Sequence, residues 1–225
     1  MRLSYEEIYR DHAEQYDRLV RAEDHQAQLP ATINALVSLR GSNVVEVGAG
    51  TGRVTRHLVS AGAHVVATEA AEAMLELGRL RVPEADWILA DARELPLESD
   101  SADVGVAGWV FGHLRHWAPD SWREEIGRGL DELTRVVRPG GTLIVIETLG
   151  TGHRAPKPPN AELAEYYSWL ESERGFVCQP IRTDYRFESP TSARELVEFF
   201  FGEAKAAIIE DALLPECTGV WSRRR

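Results

Sequence analysis

Cysteine is almost missing from this chain. Cys178 and Cys217 are the two that its 225 residues contain, with no CxxC spacing and no histidine cluster beside them. That scarcity excludes a disulfide framework and a thiolate-built metal centre. Two reduced core thiols are expected, and no metal. Long apolar runs are missing too, since none approaches the ~20 residues that a membrane-spanning helix needs. The opening stretch MRLSYEEIYRDHAEQYD carries acids early and has no apolar core, so no secretion signal is expected and a cytoplasmic location follows. Basic charge is the third shortage: 25 Lys and Arg stand against 36 Asp and Glu, a formal net charge of −11. A protein that grips nucleic acid by its phosphates needs a basic face, and an acidic total makes one harder to build. Arg223-Arg224-Arg225 is the one dense basic run and reads as a solvated tail. The balance points to a small-molecule partner, with neither nucleic acid nor membrane expected. Oligomeric state is not legible.

What is present is an ordinary globular composition, 44% hydrophobic and 27% charged, over a length that suits one α/β domain across residues 1–225. Tyr5, Ile8, Tyr9, His12, Tyr16, Leu19 and Val20 recur at helical spacing, which predicts one helix with an apolar face from Tyr5 to Val20. A second is expected from about Pro30 to Leu39, ended by Gly41. Strand and helix then alternate. Strands are expected at 44–47, 63–68, 87–90, 102–107 and 142–147. Helices are expected around Val54–Val59, Ala71–Leu80 and Ser121–Val137. Nearly continuous apolar strands between helices predict a parallel sheet covered on both faces, and right-handed crossovers make it doubly wound. After Glu147 the rhythm changes. Residues 150–160 hold three prolines and two glycines, a loop. Asn160 then caps a helix through Tyr166, Tyr167 and Leu170, stopped by Gly175. Ile181 to Glu188 alternates apolar and polar like one half-exposed antiparallel strand. Ser189-Pro190 opens another helix, and a last strand is expected at 218–222.

The informative segment is Glu46-Val47-Gly48-Ala49-Gly50-Thr51-Gly52, between a strand and a helix. Alternate glycines turn the backbone sharply and let a ligand lie against bare main chain. Glu69 closes the second strand, where a carboxylate can accept both hydroxyls of a ribose. Asp91 closes the third, where it can meet an adenine edge. Such sites occupy the carboxyl ends of the strands of an open sheet. A nicotinamide dinucleotide would explain Glu69 and part of the loop, but its fingerprint wants a third glycine at 53, where this chain has Arg53.

The ExGxGxG form, the acid after the second strand, Asp91-Ala92 after the third, Tyr16-Asp17 in the leading helix and Arg138-Pro139-Gly140-Gly141 before the fifth strand together resemble the class I S-adenosylmethionine-dependent methyltransferases. The resemblance covers residues 5 to 148 well and the remainder loosely. It implies a Rossmann-like, seven-stranded, mostly parallel sheet with an antiparallel last strand and S-adenosylmethionine as cofactor. Gly48, Ala49 and Gly50 would hold its methionine part, with Glu46 bracing the loop or the ammonium. Glu69 would take the ribose, Ala70 and Met74 would flank the adenine, and Asp91 with Ala92 would meet its amine. Ala107 and Gly108 would line the sulfonium, and Tyr16 would close over the cofactor. The helices of residues 1–40 would cover it, and 150–180 would form a lid or acceptor pocket.

The methyl acceptor should face the end of the fourth strand, Ala107-Gly108-Trp109-Val110-Phe111-Gly112-His113. No Asp/Asn-Pro-Pro-aromatic motif stands there, nor a Pro-Cys nucleophile, nor the Asp of magnesium-dependent catechol enzymes. An aromatic rim with a histidine remains. His113 is the candidate general base and acceptor contact, Trp109 an acceptor wall, and Tyr166 a further acceptor contact. Each has a bland alternative: His113 packing between elements, Tyr166 as mere core. The expected activity is methyl transfer to a small molecule, O-directed ahead of N- or C-directed. Methylation of protein or RNA, and a non-catalytic cofactor-binding role, are the alternatives.

Overall fold

The computed structural model describes residues 3–225. In chain order its helices are α1 (Tyr5–Asp11), α2 (Ala13–Val20), α3 (Gln28–Leu36), α4 (Thr55–Ser60), α5 (Glu72–Arg81), α6 (Phe111–Trp117), α7 (Trp122–Val136), α8 (Ala161–Ser172), α9 (Pro190–Phe201) and α10 (Glu203–Ala206). The strands are β1 (Asn43–Val47), β2 (His64–Glu69), β3 (Asp86–Leu89), β4 (Ala102–Gly108), β5 (Val137–Thr148), β6 (Val177–Arg182), β7 (Tyr185–Arg186), β8 (Leu213–Leu214) and β9 (Cys217–Arg224). Seven strands form one sheet in the order β3-β2-β1-β4-β5-β9-β6. All run parallel except β9, which pairs antiparallel with both β5 and β6. This is the doubly wound, mostly parallel sheet that the strand–helix rhythm predicts. β1 and β4 sit side by side at its centre, where the strand order reverses, and that crevice is where open α/β sheets bind ligands.

The pleat sorts the strand residues into two cores. Val45, Leu143 and Val145 face α7 and α8, against Ile126, Leu130, Leu133 and Tyr166. Their neighbours Val44, Ile144 and Ile146 face α3, α4 and α5, against Ile33, Leu58 and Leu75. A third cluster is separate. Leu19 of α2 packs with Tyr185, Phe187, Leu196, Val197 and Leu214, so the second helix and residues 185–214 share a small core of their own.

Two expected elements are each divided in the structure, and α6, α10 and β8 are additions to the sequence reading. The helix expected over Tyr5–Val20 breaks at His12, whose φ −130° and ψ 29° leave the helical region. Ser4 and Glu7 form a reciprocal capping box that starts α1 cleanly, and its short length lets α2 set off in a new direction. The strand expected over Ile181–Glu188 is also two strands, in two sheets. Arg182 clamps the Asp184 carboxylate at 2.5 and 2.6 Å, and Asp184 also accepts the backbone N–H of Glu216 at 2.9 Å. Those bonds turn the chain out of the ladder between β6 and β7, a long-range constraint that alternation cannot reveal. Helix α8, in the 150–180 segment expected to form a lid, buries Tyr166, Tyr167, Trp169 and Leu170 against the sheet. The segment reaches cavity walls through Thr151 and Asn160 of its leading loop and through Glu162 and Leu163 at the start of α8.

Candidate functional site

The carboxyl ends of β1, β2 and β4 open onto a cavity of about 860 Å³. Its glycine loop is shaped by backbone geometry. Gly48 and Gly50 have φ of +63° and +57°, a region that side-chain-bearing residues rarely adopt. A Cβ at Gly48 would stand 2.2 Å from Val110 Cγ2, so that glycine also lets the first turn of α6 approach. A Cβ at Gly50 would find Met74 Cε at 3.6 Å and otherwise open space. Both glycines face the cavity.

Glu69 ties the end of β2 to that loop. One carboxylate oxygen accepts the Gly50 N–H at 2.8 Å, and the other accepts those of Ala70 and Ala71 at 2.9 and 2.8 Å. The oxygen that accepts Gly50 keeps a lone pair for a further donor, while both lone pairs of the other are taken. Burial raises the Glu69 pKa against these three bonds. Ala70 and Met74 form the wall beside it, and Asp91 and Ala92 follow. Asp91 is clasped by Arg93 at 2.6 and 2.8 Å, which lowers its pKa, and Arg93 in turn reaches Glu125 at 2.5 Å. Tyr16 and Tyr9, from α2 and α1, close the cavity from the amino-terminal side.

Other expected residues lie behind that surface. Ala49 is buried under the loop and donates its N–H to Thr68 O at 2.9 Å. Ala107 is wholly enclosed within the sheet. Glu46 is 2% exposed, its Oε2 has no hydrogen-bond partner among the described residues, and burial pushes its carboxyl up to about 8. None of the three lines the cavity. Of the two readings of Glu46, this placement matches the loop brace. Tyr166, expected as an acceptor contact, is corrected by the structure. It is fully buried in the core, with its hydroxyl 3.4 Å from Glu147.

At the end of β4, Gly108 lies on the cavity wall and Trp109 turns into the left-handed region with φ +54°. A tryptophan there is strained. Two contacts hold it: its N–H donates to Ile146 O at 2.7 Å, and the Arg53 guanidinium stacks 3.3 Å from its ring centroid. Arg53 is itself fixed by Glu23 at 2.5 Å. His113, on α6, is enclosed by rings. Tyr5 meets it edge-on at 4.7 Å, Trp117 stacks on it at 5.3 Å, and the Tyr9 hydroxyl lies 2.8 Å from its Nε2. Burial, with His116 adding to it, pulls the His113 pKa down to about 4, so the ring is neutral at physiological pH.

Trp109 and His113 border two further cavities. One, of about 490 Å³, includes Gly112, Glu147, Asn160 and Leu163. The other, of about 100 Å³, includes Arg53, Thr148, Tyr185 and Glu216. Glu147 is a residue the sequence reading missed. It is the penultimate residue of β5, is 3% exposed, accepts the Gly112 N–H at 2.9 Å, and burial pushes it up to about 8. The strand-end rule that selected Glu69 and Asp91 would have found it. Among the described residues no cluster of three or more His, Cys, Asp or Glu could hold a metal, and both cysteines are free thiols.

Residues 45–145 match the family described as a methyltransferase domain. A demethylmenaquinone methyltransferase of Clavibacter sepedonicus is 38% identical over 138 residues, which span 59% of this chain and 53% of that protein. The chain spans about half the length of the curated relatives it matches. Among solved structures, a SAM-dependent methyltransferase from Aquifex aeolicus superposes with a TM-score of 0.55 at 18% identity, over 88% of this chain and 93% of that one. A [4+2]-cyclase, SpnF, superposes equally well, with a TM-score of 0.55 at 21% identity, over 89% of this chain and 81% of that one. At such identities the likeness is one of fold.

Proposed function

We propose that this chain is a class I S-adenosylmethionine-dependent methyltransferase that holds S-adenosylmethionine in the 860 Å³ cavity and passes the methyl group to a small molecule, a hydroxyl ahead of an amine or a carbon. One observation carries the reading. The glycine loop, Glu69, Asp91 and Gly108, picked separately from the sequence, all border a single cavity of the size expected for a cofactor-sized ligand. The cavity's chemistry fits the group: Gly50 leaves bare main chain on the loop, Glu69 retains a lone pair for a hydroxyl, and Met74 supplies an apolar wall.

The cofactor would supply a methyl group made electrophilic by a sulfonium. The chain's own part is alignment and the exclusion of water. Glu69 would fix the nucleoside end and the Gly48–Gly50 loop the methionine part, while Tyr9, Tyr16 and Trp109 wall off the transfer end. With its Nε2–H donated to the Tyr9 hydroxyl, neutral His113 would accept at Nδ1 the proton of a hydroxyl as it is methylated. The relative named demethylmenaquinone methyltransferase supports a small-molecule acceptor. The acidic net charge disfavours RNA. Calorimetric titration with S-adenosylmethionine and S-adenosylhomocysteine tests the reading. Both should bind, each stabilising the fold by about 2.7 kcal/mol at a hundredfold excess over its dissociation constant. Failure of both to bind would remove the cofactor assignment. Binding without transfer to any hydroxyl, amine or carbon acceptor would favour a non-catalytic or cyclase-like role.

A further inference from the structure

The 100 Å³ cavity beside Trp109 and His113 is lined mostly by apolar and aromatic side chains, and the few polar groups set among them are not used by the methyl-transfer chemistry. Thr148, Thr151 and Glu216 line it, with Arg53, Tyr16 and Tyr185 around them. Glu216 is 2% exposed. Its Oε1 accepts the Thr148 hydroxyl at 2.6 Å, and its Oε2 has no hydrogen-bond partner among the described residues. An empty buried carboxylate oxygen is costly, and such groups call for a partner that completes them.

The charges around it do not balance. Two buried acids, Glu23 and Glu216, share one guanidinium, that of Arg53. Arg53 is engaged by Glu23 at 2.5 Å and by the Trp109 ring, so little of its charge is left for Glu216. Burial, reinforced by Glu23, pushes the Glu216 carboxyl up to about 8, the response of an acid short of a counter-charge. Among the described residues Arg53 is the one permanent cation lining the cavity, and it is already engaged, so Glu216 lacks a full counter-charge. Its volume corresponds to about three water molecules. That admits a short terminal group and excludes a ring or a long chain.

We propose that this cavity is an anchoring subsite for the methyl acceptor and takes a primary ammonium group, held by Glu216. Tyr9, Tyr16, Trp109 and His113 border both this cavity and the 860 Å³ one, so a molecule anchored here extends toward the transfer end. A carboxylate or phosphate would meet Glu216 and be repelled. A neutral hydroxyl would fill Oε2 but leave the charge deficit. The name acceptor rests on the proposed methyl transfer; the ammonium preference does not.

The test is an NMR titration of the protein, saturated with S-adenosylhomocysteine, by n-propylamine, 1-propanol and propionate at equal ionic strength. Propylamine should shift the amides of Thr148, Thr151 and Glu216 saturably, bind at least ~10-fold more tightly than propanol, and leave propionate without effect. Glu216→Gln should weaken propylamine ~10-fold or more while leaving S-adenosylhomocysteine affinity unchanged, because Glu216 does not line the larger cavity. Propanol binding as tightly as propylamine would overturn the proposal, as would unchanged amine affinity in a Glu216→Gln protein that melts like wild type. The comparison of amine and alcohol in wild type needs no variant and stands if the variant fails to fold. Absent S-adenosylhomocysteine binding would sink the methyl-transfer reading instead, and the amine series, repeated without it, would still decide this one.

Discussion

At the residue scale, Glu69 has two duties that a sequence pattern cannot separate. The pattern predicts a carboxylate for a ribose, but three backbone N–H groups already converge on it. Replacement should therefore harm the loop as well as the ligand contact. Glu69→Ala should weaken S-adenosylmethionine and S-adenosylhomocysteine by a similar factor, about 10-fold or more, and also lower the ligand-free melting temperature. Calorimetry and thermal melts measure the two effects separately; an unchanged ligand-free melting temperature would mean the three bonds are incidental. His113 shows the opposite limit. Its position was legible as a histidine just past the fourth strand, but its surroundings were not. An isolated imidazole would give a pH–rate limb near 6.5. Enclosure by Tyr5, Tyr9 and Trp117 moves that limb to about 4. His113→Ala should lower single-turnover methyl transfer by roughly 10²–10⁴-fold if it takes the proton. The wild-type rate should show no histidine limb between pH 5.5 and 8, and a variant within a few-fold of wild type would leave alignment as the sole contribution.

Elements were legible wherever a local signal marked their ends. Ser4, Asn160 and Ser189 each cap the helix that follows, and Gly41, Gly62 and Gly175 take positive φ where helices or turns stop. Where an element ends because of a distant partner, the sequence is silent. The break between β6 and β7 depends on Asp184 meeting Arg182 and Glu216. The cap made by α2 with residues 185–214 depends on Leu19 meeting Tyr185 and Leu214. The glycine loop belongs to this scale because its two glycines serve different neighbours. Gly48→Ala drives a methyl into Val110 at the start of α6 and sets a left-handed alanine, so it should destabilise the fold by about 1–3 kcal/mol. Gly50→Val meets no such wall at its Cβ, so its cost is that of a left-handed valine alone, about 1–3 kcal/mol, and the folded protein should lose cofactor binding. Chemical denaturation and calorimetry on the two variants check the contrast. A Gly50→Val protein that binds normally would take the cofactor off the loop.

Across the whole molecule, the most consequential feature invisible to composition is how many acids are buried without a full counter-charge. The net charge of −11 suggests a solvated acidic surface. Yet Glu46, Glu147 and Glu216 lie inside, each pushed by burial up to about 8. In the unfolded chain a glutamate titrates near 4.3. Between those values the folded protein holds protons that the unfolded chain has released, so stability falls as pH rises, by up to about 1.4 kcal/mol per pH unit for each group. His57 and His113 act in the other direction: burial pulls both to about 4 from an unfolded value near 6.5. Across that interval the unfolded chain binds the extra proton, so their contribution rises with pH. The acids lowered by arginine or backbone partners, such as Asp91 and Asp103, act below the same range. Below about pH 6.5 the two sets therefore oppose each other, and from 6.5 to 8 the glutamates act alone. The ligand-free melting temperature should fall gently from pH 5 to 6.5, where three glutamates outnumber two histidines, drop most steeply between 6.5 and 8, and level off above. Glu147→Gln should shallow that drop by removing one of its sources. Scanning calorimetry across pH 5–9 on both proteins measures this, and a flat wild-type profile between 6.5 and 8 would show these carboxyls to be ionised in the folded state.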